Sequence, residues 1–310
     1  KEANKRFDEY GNDKIIGTNG FYAMKAHWNE HPDRDEAWAE AERSRIGEER
    51  FRREHECEFL IFDETLISSI TLADMEGVAP VETTGQVRWF KRPTPGHTYL
   101  VSLDPSMGTG GDYAAIQVFE LPTFEQVGEW HHNQTPMNQQ IRILQGINKH
   151  IHDTIMEKDS TATPQIFYSM ENNTIGEAAL MRVMDIGEEN IVGMFLSEPI
   201  RKGHRRKFRR GFNTTAKHKI DACTKFKELV EGGKMKINSQ LLISEMKDFV
   251  ASGLSYKAKP GQHDDLVSSC LLMTRMMKVL ADFDPKIFEK WTDRTSELTT
   301  PMPIFGNFYG

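Results

Sequence analysis

Residues 98–132 read TYLVSLDPSMGTGGDYAAIQVFELPTFEQVGEWHH. Three apolar runs, TYLVSLD, YAAIQVFE and FEQVGEWHH, are separated by short turns bearing Gly or Pro, the pattern of a three-strand antiparallel meander. Downstream, the period lengthens. Ile141, Leu144, Ile147 and Ile151 recur at spacings of three and four, which predicts a helix over about 138–157. PQIFYSME (164–171) then reads as a buried strand, TIGEAALMRVMDI (174–186) as a helix and IVGMFL (191–196) as a short strand. Further helices are expected over about 214–231 and 239–250, with a short strand KMKI (234–237) between them, and LVSSCLLMTRMMKVLADF (266–283) is the final helix. Strands that first meander and then alternate with helices imply a mixed α/β sheet, antiparallel in the meander and parallel beyond it, covered by helices on both faces. On the other side of the meander, the polar stretch through Val81 and Gln86 ends in KRPTPGH (91–97), a connecting segment. Residues 29–58, dense in charge with Trp38 and Ile46 among their few apolar positions, read as one or two surface helices of a separate N-terminal segment.

A chain of 310 residues, 38% hydrophobic and 27% charged, is ordinary for a globular protein and excludes a disordered or collagen-like one. No stretch approaches eighteen consecutive apolar residues, and the opening KEANKRFDEYGNDK lacks the apolar run of a secretory signal, so no membrane association is expected. The absence of an initiating Met implies a fragment or processed product. Cys57, Cys223 and Cys270 are far apart with no C-x-x-C, which favours a reducing, cytoplasmic compartment over a disulfide framework or a zinc ribbon. The net charge of -7 is unevenly spread. Arg201, Lys202, Arg205, Arg206, Lys207, Arg209, Arg210, Lys217 and Lys219 fall within 19 residues that contain no acid, leaving 30 basic residues against 46 acidic ones elsewhere. A strip of this kind supplies an electrostatic footprint for a polyanion on an otherwise acidic body. The bland alternative is a solvated loop; the missing acids and the interleaved Phe208 and Phe212 favour the polyanion.

Three acids are placed to carry chemistry: Asp104 closes TYLVSLD, Glu171 closes IFYSME, and Asp265 in QHDDLV opens the last helix. Open sheets bind ligands outside the carboxyl ends of their strands, where the first two acids meet. Taken singly, each has a structural reading, Asp104 as a turn residue, Glu171 as a turn cap and Asp264 or Asp265 as a helix N-cap. Crowded together, carboxylates repel and favour neutralisation by an oxygen-ligated Mg²⁺ or Mn²⁺. Two such ions about 4 Å apart suit phosphodiester hydrolysis.

LDPSMGTGGDYAA, the strand ending at Glu171 with its following Asn-Asn, and HDDLV together resemble the nuclease domain of the large terminase subunits of tailed bacteriophages. The resemblance covers about Asp63 to Phe283, and ERFRREHECEF resembles the segment that ends the packaging ATPase domain. It implies residues 1–62 as the tail of that ATPase domain and linker, and 63–310 as a ribonuclease H-like nuclease domain with a C-terminal tail. It further implies a two-metal endonuclease that cuts concatemeric double-stranded DNA at the start and end of packaging in the cytoplasm of the infected host. Its partners would be the portal protein, the small terminase subunit and the ATPase domain of the same full-length chain. By matching motifs, Asp104 would bridge two ions, Glu171 would be the second ligand and Asp265 the third, with Asp264 and Asp112 as further acids near the site. Met107 stands where some relatives carry an acid. His263 or Lys217 is a candidate for orienting water or the scissile phosphate, and the strip from Arg201 to Lys219 for holding DNA phosphates.

No G-x-x-x-x-G-K-[ST] occurs, so SMGTGGD is no nucleotide-motor loop. The alternatives are an actin-like or sugar-kinase-like nucleotide-binding fold, a Holliday-junction resolvase or transposase-type nuclease, and a non-catalytic DNA-binding or docking module. His131-His132 and His150-x-His152 lack partners at zinc-site spacing, no G-x-S-x-G marks a serine hydrolase, and Met273, Met276 and Met277 read as core filling.

Overall fold

The computed structural model describes residues 4–7, 13–16, 27–56, 64–198 and 210–283. Arg201, Lys202, Arg205, Arg206, Lys207 and Arg209 of the basic strip, and Cys57, lie outside the described residues. The chain divides into two compact units, Lys1–Phe62 and Asp63–Gly310.

In the first unit, β1 (Asn4–Phe7) pairs antiparallel with β2 (Asp13–Ile16). Two helices follow, α1 (Glu36–Ile46) and α2 (Glu48–His55). Asp35 caps α1 by accepting the Trp38 amide at 2.8 Å, and Gly47 joins the helices at φ 84°. Between them Trp28, Ala39 and Phe51 are buried, with Trp38 and Ile46 packed alongside, so the sparse apolar positions of this segment build a small aromatic core.

The second unit begins with the short α3 (Ser69–Asp74) and then builds a seven-stranded sheet. Its strands are β3 (Glu82–Thr84), β4 (Val87–Trp89), β5 (Thr98–Asp104), β6 (Ala114–Leu121), β7 (Glu125–His132), β8 (Gln165–Met170) and β9 (Met194–Phe195). They lie in the order β3-β4-β7-β6-β5-β8-β9. β5, β6 and β7 form the antiparallel meander, and β8 and β9 add parallel to β5. Pleating sends alternate side chains of β5 to opposite faces. Tyr99, Val101 and Leu103 enter a core with Ile141, Leu144, Ile147 and Ile151 of α4 (Met137–Lys158) and with Ala179, Leu180 and Val183 of α5 (Thr174–Ile186).

Across the sheet, β5 and β6 are covered by α8 (Asp265–Phe283), flanked by α6 (Ala216–Glu231) and α7 (Gln240–Asp248). The approach of α8 to β5 is set by two small buried residues: the Ser102 hydroxyl meets the Ser269 hydroxyl at 2.8 Å and the Ser269 carbonyl at 2.9 Å. Asp104 shares the face of Ser102 and therefore emerges on the α8 side. Met273, Met276 and Met277 are buried, as core filling requires.

Three local expectations are corrected. The polar stretch after Val81 is not merely a connection but the β3–β4 hairpin on the sheet edge, turned by Gly85 at φ 60°. KMKI forms no strand: among the described residues it makes a single bridge, between Lys236 and Glu125, in the short span between the end of α6 and the start of α7. The helix expected to reach Val250 stops at Asp248, and β10 (Phe249–Ser252) turns through Gly253 into β11 (Ser255–Ala258). Phe249 continues the helical spacing of Leu242 and Met246, which hides this change in the sequence.

Candidate active site

The parallel register pairs Leu103 with Met170, so Asp104 and Glu171 are the next residues at the carboxyl ends of neighbouring strands. The Glu171 amide still donates to the Leu103 carbonyl at 3.3 Å, which continues the ladder to the acid itself. Their carboxyls are near enough for Glu171 to act directly on Asp104. Desolvation, then the negative fields of Glu171, Asp265 and Asp264, push Asp104 well above the usual carboxylate range.

Asp265 lies in the first turn of α8 and accepts the Tyr113 amide at 3.4 Å. Burial raises its pKa to about 6, with the Tyr113 amide and His263 opposing and Asp264 and Asp112 adding to the rise. His263 Nδ1 is 3.7 Å from it. Asp264 turns away to accept the Ala258 amide at 3.3 Å and faces the Lys219 ammonium at 3.9 Å. Asp112 is exposed in the turn before β6 and acts on Asp265 only through its charge.

Asp104 and Glu171 open into a cleft of about 100 Å³ lined also by Thr214, His218, Lys219 and Arg275. That volume admits a few waters or ions rather than a nucleotide. Lys219 is thus at the cleft, whereas Lys217 is exposed on the first turn of α6 and is not in its lining. Arg210 pairs with Glu188.

Several residues that organise this region carry no local signal in the sequence. Glu245 of α7 accepts the Leu266 and Val267 amides at 2.8 and 3.1 Å, satisfying the first turn of α8 and leaving Asp265 uncommitted to capping. Burial raises Glu245 to about 9, and burial also lowers His131 to about 4. Their 3.6 Å approach is therefore between neutral groups and not an ion pair. His131 stacks on Tyr113 at 4.1 Å, which steadies the residue whose amide bonds Asp265. Arg275 bonds Glu198, the Thr214 hydroxyl and the Asn213 carbonyl, tying α8 to the segment before α6.

Gly176 is needed for close approach: a Cβ there would lie 1.8 Å from the Glu171 carbonyl oxygen. Gly176→Ala should cost about 1–3 kcal/mol in urea unfolding and displace Glu171; an unchanged unfolding midpoint would show that the backbone yields without strain.

The donors Asp104, Glu171, Asp264 and Asp265 are all oxygens whose mutual repulsion a hard divalent cation would relieve, so their chemistry fits Mg²⁺ or Mn²⁺. Among the described residues, no group of three or more His, Cys, Asp or Glu side chains is gathered in a metal-holding arrangement. The fit lies in the chemistry of the donors.

An antiparallel meander continued by parallel strands, with helices on both faces and acids at the two central strand ends, defines a ribonuclease H-like α/β protein. A model of the terminase RNaseH-like domain (Terminase_6C) matches residues 101–276, more than half of the chain, and the chain belongs to that family. The large terminase nuclease of the thermophilic phage G20c with bound magnesium has a TM-score of 0.51 at 17% identity, over 69% of this chain and 97% of that one. The same nuclease with bound cobalt has a TM-score of 0.50 at 17% identity, over 69% and 97%. At such identities the likeness is one of fold. Family membership supersedes the actin-like alternative.

Proposed function

We propose that this chain is a metal-dependent endonuclease of a viral DNA-packaging motor, cutting concatemeric double-stranded DNA into genome lengths when packaging begins and ends. The observation that carries the reading is the placement of Asp104 and Glu171 at the ends of adjacent parallel strands, lining one cleft, with Asp265 in the first turn of α8. Asp104, Glu171 and Asp265 would hold two Mg²⁺ or Mn²⁺ ions, with Asp104 shared. Such ions supply a nucleophile from water at neutral pH and stabilise charge on the leaving oxygen.

The protein's own groups bind and orient the substrate. Lys219 brings positive charge to the cleft beside the acids. The strip before α6 contacts phosphates and not base edges, giving affinity with little sequence preference. Arg275 fixes the segment that joins strip to cleft. Residues 1–62 would end the ATPase domain of the full-length chain, and the portal protein and small terminase subunit would be its partners in the host cytoplasm. Among the described residues no helix is long and apolar enough to cross a membrane.

Supercoiled-plasmid cleavage tests the reading: nicking and linearisation are expected with Mg²⁺ or Mn²⁺ and none with EDTA. Absence of cutting under every metal condition would overturn it in favour of a docking module, and a strong preference for branched DNA would indicate a resolvase. Neutralising Arg205, Arg206 and Arg209 together should weaken DNA binding and flatten the logarithmic salt slope by about 2 to 3. An unchanged slope would remove the strip from the DNA path.

A further inference from the structure

His218 lies in the first turn of α6, with Thr215 as the helix cap, and lines the cleft that holds Asp104 and Glu171. Three groups approach its Nδ1: the Asn213 carbonyl oxygen at 2.8 Å, Arg275 Nη2 at 3.4 Å and Glu198 Oε1 at 3.7 Å. The carbonyl is the nearest and can only accept, so Nδ1 carries the hydrogen and donates it. Arg275 can only donate, so its 3.4 Å approach to a protonated Nδ1 is no hydrogen bond. Arg275 Nη2 instead donates to the same Asn213 carbonyl at 3.0 Å, while the Asn213 amide donates to Glu198 at 3.4 Å. The carbonyl is thereby fixed from both sides, and with it the tautomer and plane of the imidazole. In the neutral ring the remaining nitrogen, Nε2, is a bare acceptor on the opposite edge, and the side chain is 30% exposed at the cleft.

We propose that His218 is a catalytic residue of the nuclease reaction, whose Nε2 accepts a hydrogen bond from the attacking water and aims the water's lone pair at the phosphorus. The assignment rests on the nuclease reading above. Nothing in it requires His218 to bind a cation. Asn213, Glu198 and Arg275 are positioning residues that act through the imidazole.

The tautomer is testable without substrate or metal. Long-range ¹H–¹⁵N correlation spectra of the ¹⁵N-histidine-labelled chain at pH 8, assigned by loss of a signal in His218→Ala, should show Nδ1 protonated and Nε2 bare. A protonated Nε2 would overturn the proposal. In the plasmid assay, His218→Ala should lower kcat at least tenfold with DNA affinity and thermal midpoint unchanged. His218→Gln, whose amide oxygen can also accept from water, should recover part of the loss. Wild-type cleavage that survives His218→Ala undiminished would remove His218 alone. A wild type that never cuts would defeat the nuclease reading first, and this role with it. If His218→Ala fails to fold, loss of the signal in His218→Gln assigns it, and the wild-type spectrum decides.

Discussion

Asp104→Asn will abolish metal-dependent cleavage, by on the order of 10³-fold or more, and will at the same time make the metal-free protein more resistant to heat at pH 8. The first effect follows from the placement of Asp104. It is the acid common to both ions on the proposed reading, and carboxylates that act as a unit lose nearly all function when one is removed. The second follows from its surroundings. The Asp104 carboxyl is desolvated and faces Glu171, Asp265 and Asp264, so its ionised form is disfavoured in the fold. Asn keeps the shape and a hydrogen-bonding group without the charge. A structural acid would give the opposite pairing, in which loss of the side chain lowers stability. Plasmid cleavage with Mn²⁺ and thermal unfolding in EDTA, run on the same preparation, separate the cases: retained cleavage ends the catalytic assignment, and a lowered midpoint ends the electrostatic one.

Glu245→Gln will remove a fall in stability that the metal-free protein otherwise shows between neutral and alkaline pH. The folded-state value of about 9 lies above the ordinary 4.5 of a glutamate. A group raised in this way gives stability that is complete below 4.5 and is lost as pH climbs through about 9. His131, lowered to about 4, works in the other direction: its contribution is complete above 6.5 and is lost as pH falls toward 4. Asp265, raised to about 6, has spent its effect by neutrality. Between pH 6.5 and 8.5 the raised carboxyls are Glu245, Glu129 and Asp104; Glu129 is common to both variants compared, and Asp104→Asn removes the last. In that background, Glu245 should contribute a decline approaching about 1.4 kcal/mol per pH unit, or about 3 kcal/mol over the interval. The glutamine oxygen can still accept the Leu266 and Val267 amides, so the helix start survives. Urea unfolding of Asp104→Asn and Asp104→Asn/Glu245→Gln at both pH values reads the difference directly. Parallel pH dependences would mean that Glu245 ionises as freely in the fold as out of it.

Much of this architecture was legible in the sequence because it depends on local pattern. TYLVSLD, IFYSME and the long apolar run after His263 announce two strands and a helix that end or begin on acids, and the fold contains them. The sheet's mixed character followed from the change between meander and alternation. The less legible parts depend on partners far apart in the chain. Glu245 caps a helix that starts twenty residues later and sits in a different element, and nothing around it resembles a capping box. Arg275 reads as one polar residue in the Met-rich helix, and its role depends on Glu198 and Asn213, more than sixty residues away. Two hairpins escaped for local reasons: β3–β4 is short and polar, and β10 continues a helical spacing. From the sequence, Lys217 stands out as the lysine to orient water or the scissile phosphate, yet two residues on a helix are separated by about 200°, and it is Lys219 that lines the cleft.

The strand that carries Glu171 is also stitched to the end of the basic strip. Beyond β8, the Asn172 amide donates to the Phe212 carbonyl at 2.7 Å, the Phe212 amide donates to the Met170 carbonyl at 3.2 Å, and the Asn172 side chain holds the Arg210 carbonyl at 2.7 Å. Such a ladder transmits displacement as a rigid coupling does. On the proposed reading, tension drawn along bound DNA into residues 210–213 is felt at Glu171, the metal-binding carboxylate between the two bonded residues, so gripping and cutting share one mechanical part and cannot be tuned separately by changes to the strip alone.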